Sequence, residues 1–233
     1  MKENYSKKRV IFLKKNKEYD ALYRYCASFA LEHNLDAFLE VSKCYMYGWG
    51  VEKNELHAYL IHTRLSSQDY PKGYYYLAWD YYEGKGTKKN LKKAYKYFLI
   101  SAQKGIVDAM FNVGIFCYNG LGCKKDQKQA LYWFNQAASL GHVQAQFNLG
   151  VCYDKGIGTN RDPIKSNYWL EQASSNGSDL ANRYQGREDL ALFNELEEIY
   201  QRVKNLRVDQ NIDLWLDKMR KQLDRMEEKS HGN

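Results

Sequence analysis

Five histidines and five cysteines are the side chains of this 233-residue chain best suited to metal binding, proton transfer or attack on a carbonyl. The histidines are His33, His57, His62, His142 and His231, and no two stand four apart as helical metal ligands do. His57 and His62 are five apart and face different sides of a helix. Cys26, Cys44, Cys117, Cys123 and Cys152 are odd in number and lack disulfide-like spacing, which fits a reducing compartment. Carboxylates gather only at Glu195, Glu197 and Glu198 and near the C-terminus, where a solvated surface accounts for them. The glycines join helical run to helical run, so they make no phosphate loop of strand-to-helix type. No acid, base and nucleophile set can be named from these spacings. The expectation is a protein without catalytic residues, metal or cofactor.

What remains is the chemistry of binding. Tyr75, Trp79 and Tyr82 recur 36 residues on as Phe111, Ile115 and Tyr118, and again as Phe147, Val151 and Asp154. Spacings of four and three put each trio on one side of a helix. Lys72, Glu83, Asp108, Asn119, Gln144 and Lys155 edge them. Aromatic side chains offer large contact area with few rotors to freeze, the character of binding hot spots. The trios can equally be packing between neighbouring helices, and the sequence leaves both readings open. A second recurring set is basic: Lys53, Lys89, Lys125 and Arg161 share one column, flanked by Lys88, Lys92, Lys93, Lys124 and Lys128. Such a stripe can follow a phosphate backbone or simply keep a surface solvated, and the solvated reading is preferred because no nucleic-acid module is present.

The elements that position these residues follow from the same period. Gly48/Gly50, Gly84/Gly86, Gly120/Gly122 and Gly156/Gly158 each lie 36 residues beyond the last, a mark of stacked repeats. Asn54, Asn90, Asp126 and Asp162 occupy one column and are N-cap residue types, and Pro163 follows at the first helical position. Behind each cap runs an apolar stripe: Ala94, Tyr97, Phe98 and Ala102 correspond to Ala130, Trp133, Phe134 and Ala138, then to Ser166, Trp169, Leu170 and Ser174. Gly105, Gly141 and Gly177 end these helices, whereas Asp69 in the same column predicts a different turn in the first repeat. The preceding helix carries small residues at Ser42, Ala78, Gly114, Gly150 and Gly186, which predicts close helix approach. Each unit is thus a helix hairpin that buries its apolar faces only when another stacks on it.

The stretch Ala109, Gly114, Tyr118, Gly120, Gly122, Asp126, Ala130, Trp133, Ala137, Ala138 and Gly141 resembles the Sel-one-like repeat, a cousin of the tetratricopeptide repeat. Thr87, Cys123 and Thr159 depart from the usual valine, which Val51 keeps. The resemblance implies an all-α, right-handed superhelical solenoid of antiparallel helix pairs, with first helices along a concave face. It further implies an adaptor or scaffold that holds a protein or peptide partner on that face, with the trios and their edge residues as contacts. The alternative is an immunity-type regulator that inactivates one target, and a third is a nucleic-acid binder. In the cysteine-rich exported branch of the family, disulfides pair the two helices of each repeat. Here the columns associated with those bridges hold Ala102 and Ala109, then Ala138 and Ala145.

The expected organisation is a degenerate helix pair over 1–35, four repeats over 36–178, an extended helix over 179–207 and a terminal helix over 209–229. The last carries Ile212, Leu216, Met219, Leu223 and Met226 in a heptad-type seam, which either docks on the array or offers itself to another molecule. Net charge is +7, unevenly spread: residues 71–106 hold eight Lys/Arg against two Asp/Glu. No run crosses a bilayer and no apolar signal segment precedes the repeats, so a cytoplasmic protein is expected; the sequence leaves the oligomeric state open, with a monomer favoured.

Overall fold

A computed structural model describes residues 4–184. Helices α1 (Lys7–Lys15) and α2 (Tyr19–Leu31) form the first pair. Four hairpins of equal build follow: α3 (Leu35–Tyr47) with α4 (Glu55–Ser67), α5 (Pro71–Glu83) with α6 (Leu91–Gln103), α7 (Val107–Asn119) with α8 (Gln127–Ser139), and α9 (Val143–Lys155) with α10 (Pro163–Ser175). Every helix of these hairpins has 13 residues, so each is about 20 Å long. The described chain ends in α11 (Asp179–Tyr184). The remainder of the expected helix over 179–207, and the whole of that over 209–229, lie outside the described residues.

Local bonds explain why the helices begin and stop in step. Asn54, Asn90, Asp126 and Asp162 each turn a side-chain oxygen to accept from backbone N–H groups of the following turn. Loss of the cap at Asp126 would cost about 1 kcal/mol. The backbone N–H of each cap donates back to the first helix of its own hairpin, at Tyr45, Tyr81, Cys117 and Tyr153, over 2.7–2.9 Å. The two ends of the turn are therefore tied at every repeat. Each second helix closes on a left-handed residue, Gly105, Gly141 or Gly177. Asp69 takes the same conformation, with φ of 57°, and so does His33 one period earlier, at 64°. The different turn expected at Asp69 is thus corrected: stacking imposes one geometry, and Asp69 holds it with bonds to Lys104 and Tyr74.

The Gly-x-Gly pair carries the stacking. Its first glycine caps the first helix in the left-handed region, which favours glycine. Its second rests on the opening residue of the previous hairpin's second helix. A Cβ on Gly50, Gly86, Gly122 or Gly158 would lie 2.1–2.3 Å from the carbonyl oxygen of Tyr19, Glu55, Leu91 or Gln127. No side chain fits there. Inside the hairpins the small column does what its spacing predicts: a Cβ on Gly114 would come within 2.6 Å of the Phe134 ring, and one on Gly150 within 2.7 Å of Leu170.

The apolar interior falls into two clusters. One joins α1 to α4 through Val10, Leu13, Leu22, Cys26, Leu39, Cys44 and Leu65. The other runs through the later hairpins, centred on Leu77, Phe98, Val113, Phe116, Phe134 and Leu149. Cys44, Cys117 and Cys152 are core residues, as their columns predict, and Cys26 joins them. Cys123 is half-buried, its thiol donating to the Phe116 carbonyl, and burial pushes it up to about 11.

Candidate functional site

The three trios lie on successive first helices, α5, α7 and α9, and all nine residues are half-buried. Lys72, Glu83, Asp108, Asn119, Gln144 and Lys155 are exposed. The inner edges of the trios pack on the second helices. Tyr75 and Trp79 meet the Phe98 ring at 5.9 and 5.5 Å, and Phe111 meets Phe134 at 6.0 Å. Within α5 the rings touch edge to face, Tyr75 with Trp79 and Trp79 with Tyr82. These contacts hold the rings in fixed positions with their outer portions toward solvent. Phe147 meets Tyr184 of α11, whose hydroxyl donates to Asp154 over 2.6 Å. Burial raises Asp154, but Tyr184, Lys155 and Arg161 outweigh it and hold the carboxyl below its usual range.

Sequence spacing alone gave no reason to join the basic column to the trios, yet the fold brings them together. The Lys89 ammonium sits over the Tyr82 ring at 5.4 Å and that of Lys125 over Tyr118 at 5.8 Å. Arg161 reaches Asp154, the residue of the same column, at 3.4 Å. The aromatic face therefore has a cationic border on its turn side. Lys53, the fourth member, pairs with Glu55 instead.

Toward the N-terminus the same face becomes ionic. Lys43, Leu39 and Met46 replace the trio, and Glu40 accepts from both Lys14 of α1 and Lys43. Burial raises Glu40, yet the two ammonium groups outweigh it and hold its carboxyl low. Asp36 is likewise raised by burial and lowered more by Tyr70, Lys7 and Lys72. Lys72, one of the expected contact residues, thus reaches Asp36 at 3.6 Å.

One constellation of catalytic type does form, and no local spacing announces it. His62 Nε2 lies 2.8 Å from Ser42 Oγ, and Nδ1 lies 2.6 Å from Asp80 Oδ2. The order Ser–His–Asp is that of a hydrolase triad. Here all three residues are buried, with Ser42 fully excluded from solvent, and its hydroxyl donates to the Leu39 carbonyl over 2.6 Å. A serine with one proton cannot also donate to His62, so Nε2 of His62 is the donor, and Nδ1 and Asp80 share the remaining proton. Burial pushes the Asp80 carboxyl up while His62 pulls it down. The trio is closed to solvent and joins α3, α4 and α5. Its signal was present in the repeat columns: Ser42 stands where Ala78 and Gly114 do, His62 where Phe98 and Phe134 do, and Asp80 where Phe116 and Cys152 do. Three polar exceptions in three apolar columns are the trace of one network.

Among the described residues no group of histidine, cysteine and carboxylate side chains has the arrangement of a metal site. No helix among them is long and apolar enough to cross a membrane. A profile described as Sel1 repeat matches residues 37–70, 71–106, 107–142 and 143–178. A Sel1 repeat protein from Oxalobacter formigenes is 26% identical over 78% of this chain and 74% of its own, with a TM-score of 0.69. A protective antigen of uropathogenic Escherichia coli with an SLR fold is also 26% identical, over 77% of this chain and 36% of its own, at 0.66. An immunity protein from Pseudomonas aeruginosa shares the fold over 96% of this chain and 84% of its own, at 15% identity and a TM-score of 0.54. No curated protein matches. With four matched repeats and hairpins stacked through the same glycines, the chain belongs to the Sel1 repeat family.

Proposed function

We propose that the first-helix face of α5, α7 and α9 binds an extended or helical segment of a partner protein, and that the chain serves as a scaffold or adaptor. The carrying observation is the pairing of nine half-buried, largely aromatic residues with a border of cations seated on Tyr82 and Tyr118. Apolar anchors of the partner would fill the spaces between rings, and its carboxylates would meet Lys89, Lys125 and Lys72. Rings already fixed by neighbours lose little freedom on binding, which favours affinity. Binding of a polypeptide accounts for the aromatic content better than a phosphate backbone does, because the cations here crown rings.

The same surface would suit the alternative of one dedicated target held and inactivated, the role in the name of the Pseudomonas immunity protein; that likeness is one of fold. Affinity purification with mass spectrometry identifies the partner and separates several unlike proteins from a single stoichiometric one. Trp79→Ala is expected to weaken capture by tenfold or more, a hot-spot loss, with helical circular dichroism retained. Because Trp79 also touches Phe98, the exposed pair Lys89→Glu with Lys125→Glu supplies a variant that leaves the apolar interior intact. Full capture by both variants would overturn the proposal, and steep salt dependence of binding to random nucleic acid would favour the third reading.

A further inference from the structure

A groove of about 600 Å³ opens on another face, between α2 and α4 and floored by α3. Tyr23, Ala27 and Leu31 form one wall and Ile61 the other, over Phe38 and Tyr45. The repeats show what such a place holds elsewhere. In the column of Ile61 the later second helices carry Tyr97, Trp133 and Trp169. Tyr97 lies between the first-helix rings Tyr74 and Tyr81, stacked on the latter at 5.6 Å. Phe38 and Tyr45 are the residues of those same two columns, and Ile61 lines the groove with them in the column of Tyr97. Ala27 on the facing wall corresponds to Thr63 one period on, so that wall is low in both places. Ile61 in place of a ring leaves the room that an aromatic side chain takes in later repeats.

The rim has a definite charge. His33, His57, Arg64 and Gln68 line it, Arg64 carrying the fixed positive charge, and no carboxylate among the described residues does. Arg64 lies over the Phe38 ring at 5.7 Å, and His57 stacks on Tyr45 at 5.2 Å. Leu31 on the opposite lip is 84% exposed, an apolar side chain with nothing of this chain's described residues over it. Apolar walls, a missing ring and a cationic lip select one kind of occupant. We propose that this groove docks a tryptophan or tyrosine of a partner polypeptide that has a carboxylate beside it. The ring would stack between Phe38 and Tyr45 as Tyr97 does between Tyr74 and Tyr81, and the carboxylate would meet Arg64. The groove shares no residue with the α5–α7–α9 face, so the two proposals stand or fall separately.

The probe is the peptide acetyl-Glu-Trp-Glu-amide carrying 5-fluorotryptophan, titrated with the full chain by fluorine NMR, against acetyl-Gln-Trp-Gln-amide. Ile61→Trp fills the groove with the residue seen at Trp133 and Trp169. It is expected to weaken binding by about tenfold or more without lowering the melting temperature. Should that variant fail to fold, Ala27→Leu narrows the groove from the other wall and is expected to act in the same direction. Arg64→Gln is expected to weaken the glutamate peptide about threefold and leave the glutamine peptide unchanged. Equal binding by the two groove variants and the parent chain, or by the two peptides, would overturn the proposal. The chain itself carries Asp213, Trp215 and Asp217, the same chemistry. Trp215→Ala is expected to leave peptide affinity unchanged, and a severalfold rise would assign the groove to this segment instead of a partner.

Discussion

The N-terminal pair of hairpins and the middle of the array solve one packing problem in two ways. In the middle, Phe98 and Phe134 fill the hairpin interior against Ala78 and Gly114, and the apolar cluster runs unbroken from Leu77 to Cys152. At the N-terminal side the corresponding positions hold His62 and Ser42, and Asp80 reaches across from the next hairpin. The break between the two apolar clusters falls there, at α4 and α5. The two arrangements differ in what holds them. Ring packing tolerates small shifts, whereas a buried donor and acceptor set is satisfied in one geometry and costs heavily in any other. The surfaces follow suit: rings line the first helices of the middle hairpins, and the Lys14–Glu40–Lys43 cluster lines α3.

The largest effect expected from breaking this contrast is that of Asp80→Ala. It leaves Nδ1 of His62 buried without its partner, and is expected to cost about 3–5 kcal/mol in urea unfolding. Converting the N-terminal hairpin to the middle pattern with Ser42→Gly, His62→Phe and Asp80→Cys together sharpens the point. That triple is expected to be neutral or to stabilise by about 1–4 kcal/mol, because ring packing replaces desolvated charge. If the triple is as damaging as Asp80→Ala alone, the network contributes more than satisfied polarity. The smallest effect is one of pH. Glu40 is held below its usual range by Lys14 and Lys43, so its contribution is complete above the ordinary carboxylate range and lost as pH falls through the lowered value. Glu40→Gln is expected to flatten the acid limb of stability against pH, and an unchanged limb would show that the cluster is idle.

Local features were legible because they repeat. The caps at Asn54, Asn90, Asp126 and Asp162 and the turn glycines are set by bonds between residues a few positions apart, and a 36-residue period displays each of them four times. The side on which Tyr75, Trp79 and Tyr82 lie together was legible for the same reason. The Asp69 turn was misjudged because residue type speaks only of local cost: φ of 57° is imposed by the stacked hairpins and supported by Lys104 and Tyr74. The Ser42–His62–Asp80 network was missed because spacings of 20 and 18 residues have no meaning within one helix.

The sequence by itself therefore determined the hairpin, its period, its caps and the family of folds, all of which rest on short-range geometry. Only the tertiary structure decided which exceptions to the repeat meet. It placed Lys89 and Lys125 over rings of a neighbouring column, seated a polar trio inside an apolar stack, and left a ring-sized opening beside Ile61. Those outcomes depend on distances between helices, and stacking fixes them through contacts such as Gly86 on the Glu55 carbonyl, which no single hairpin contains.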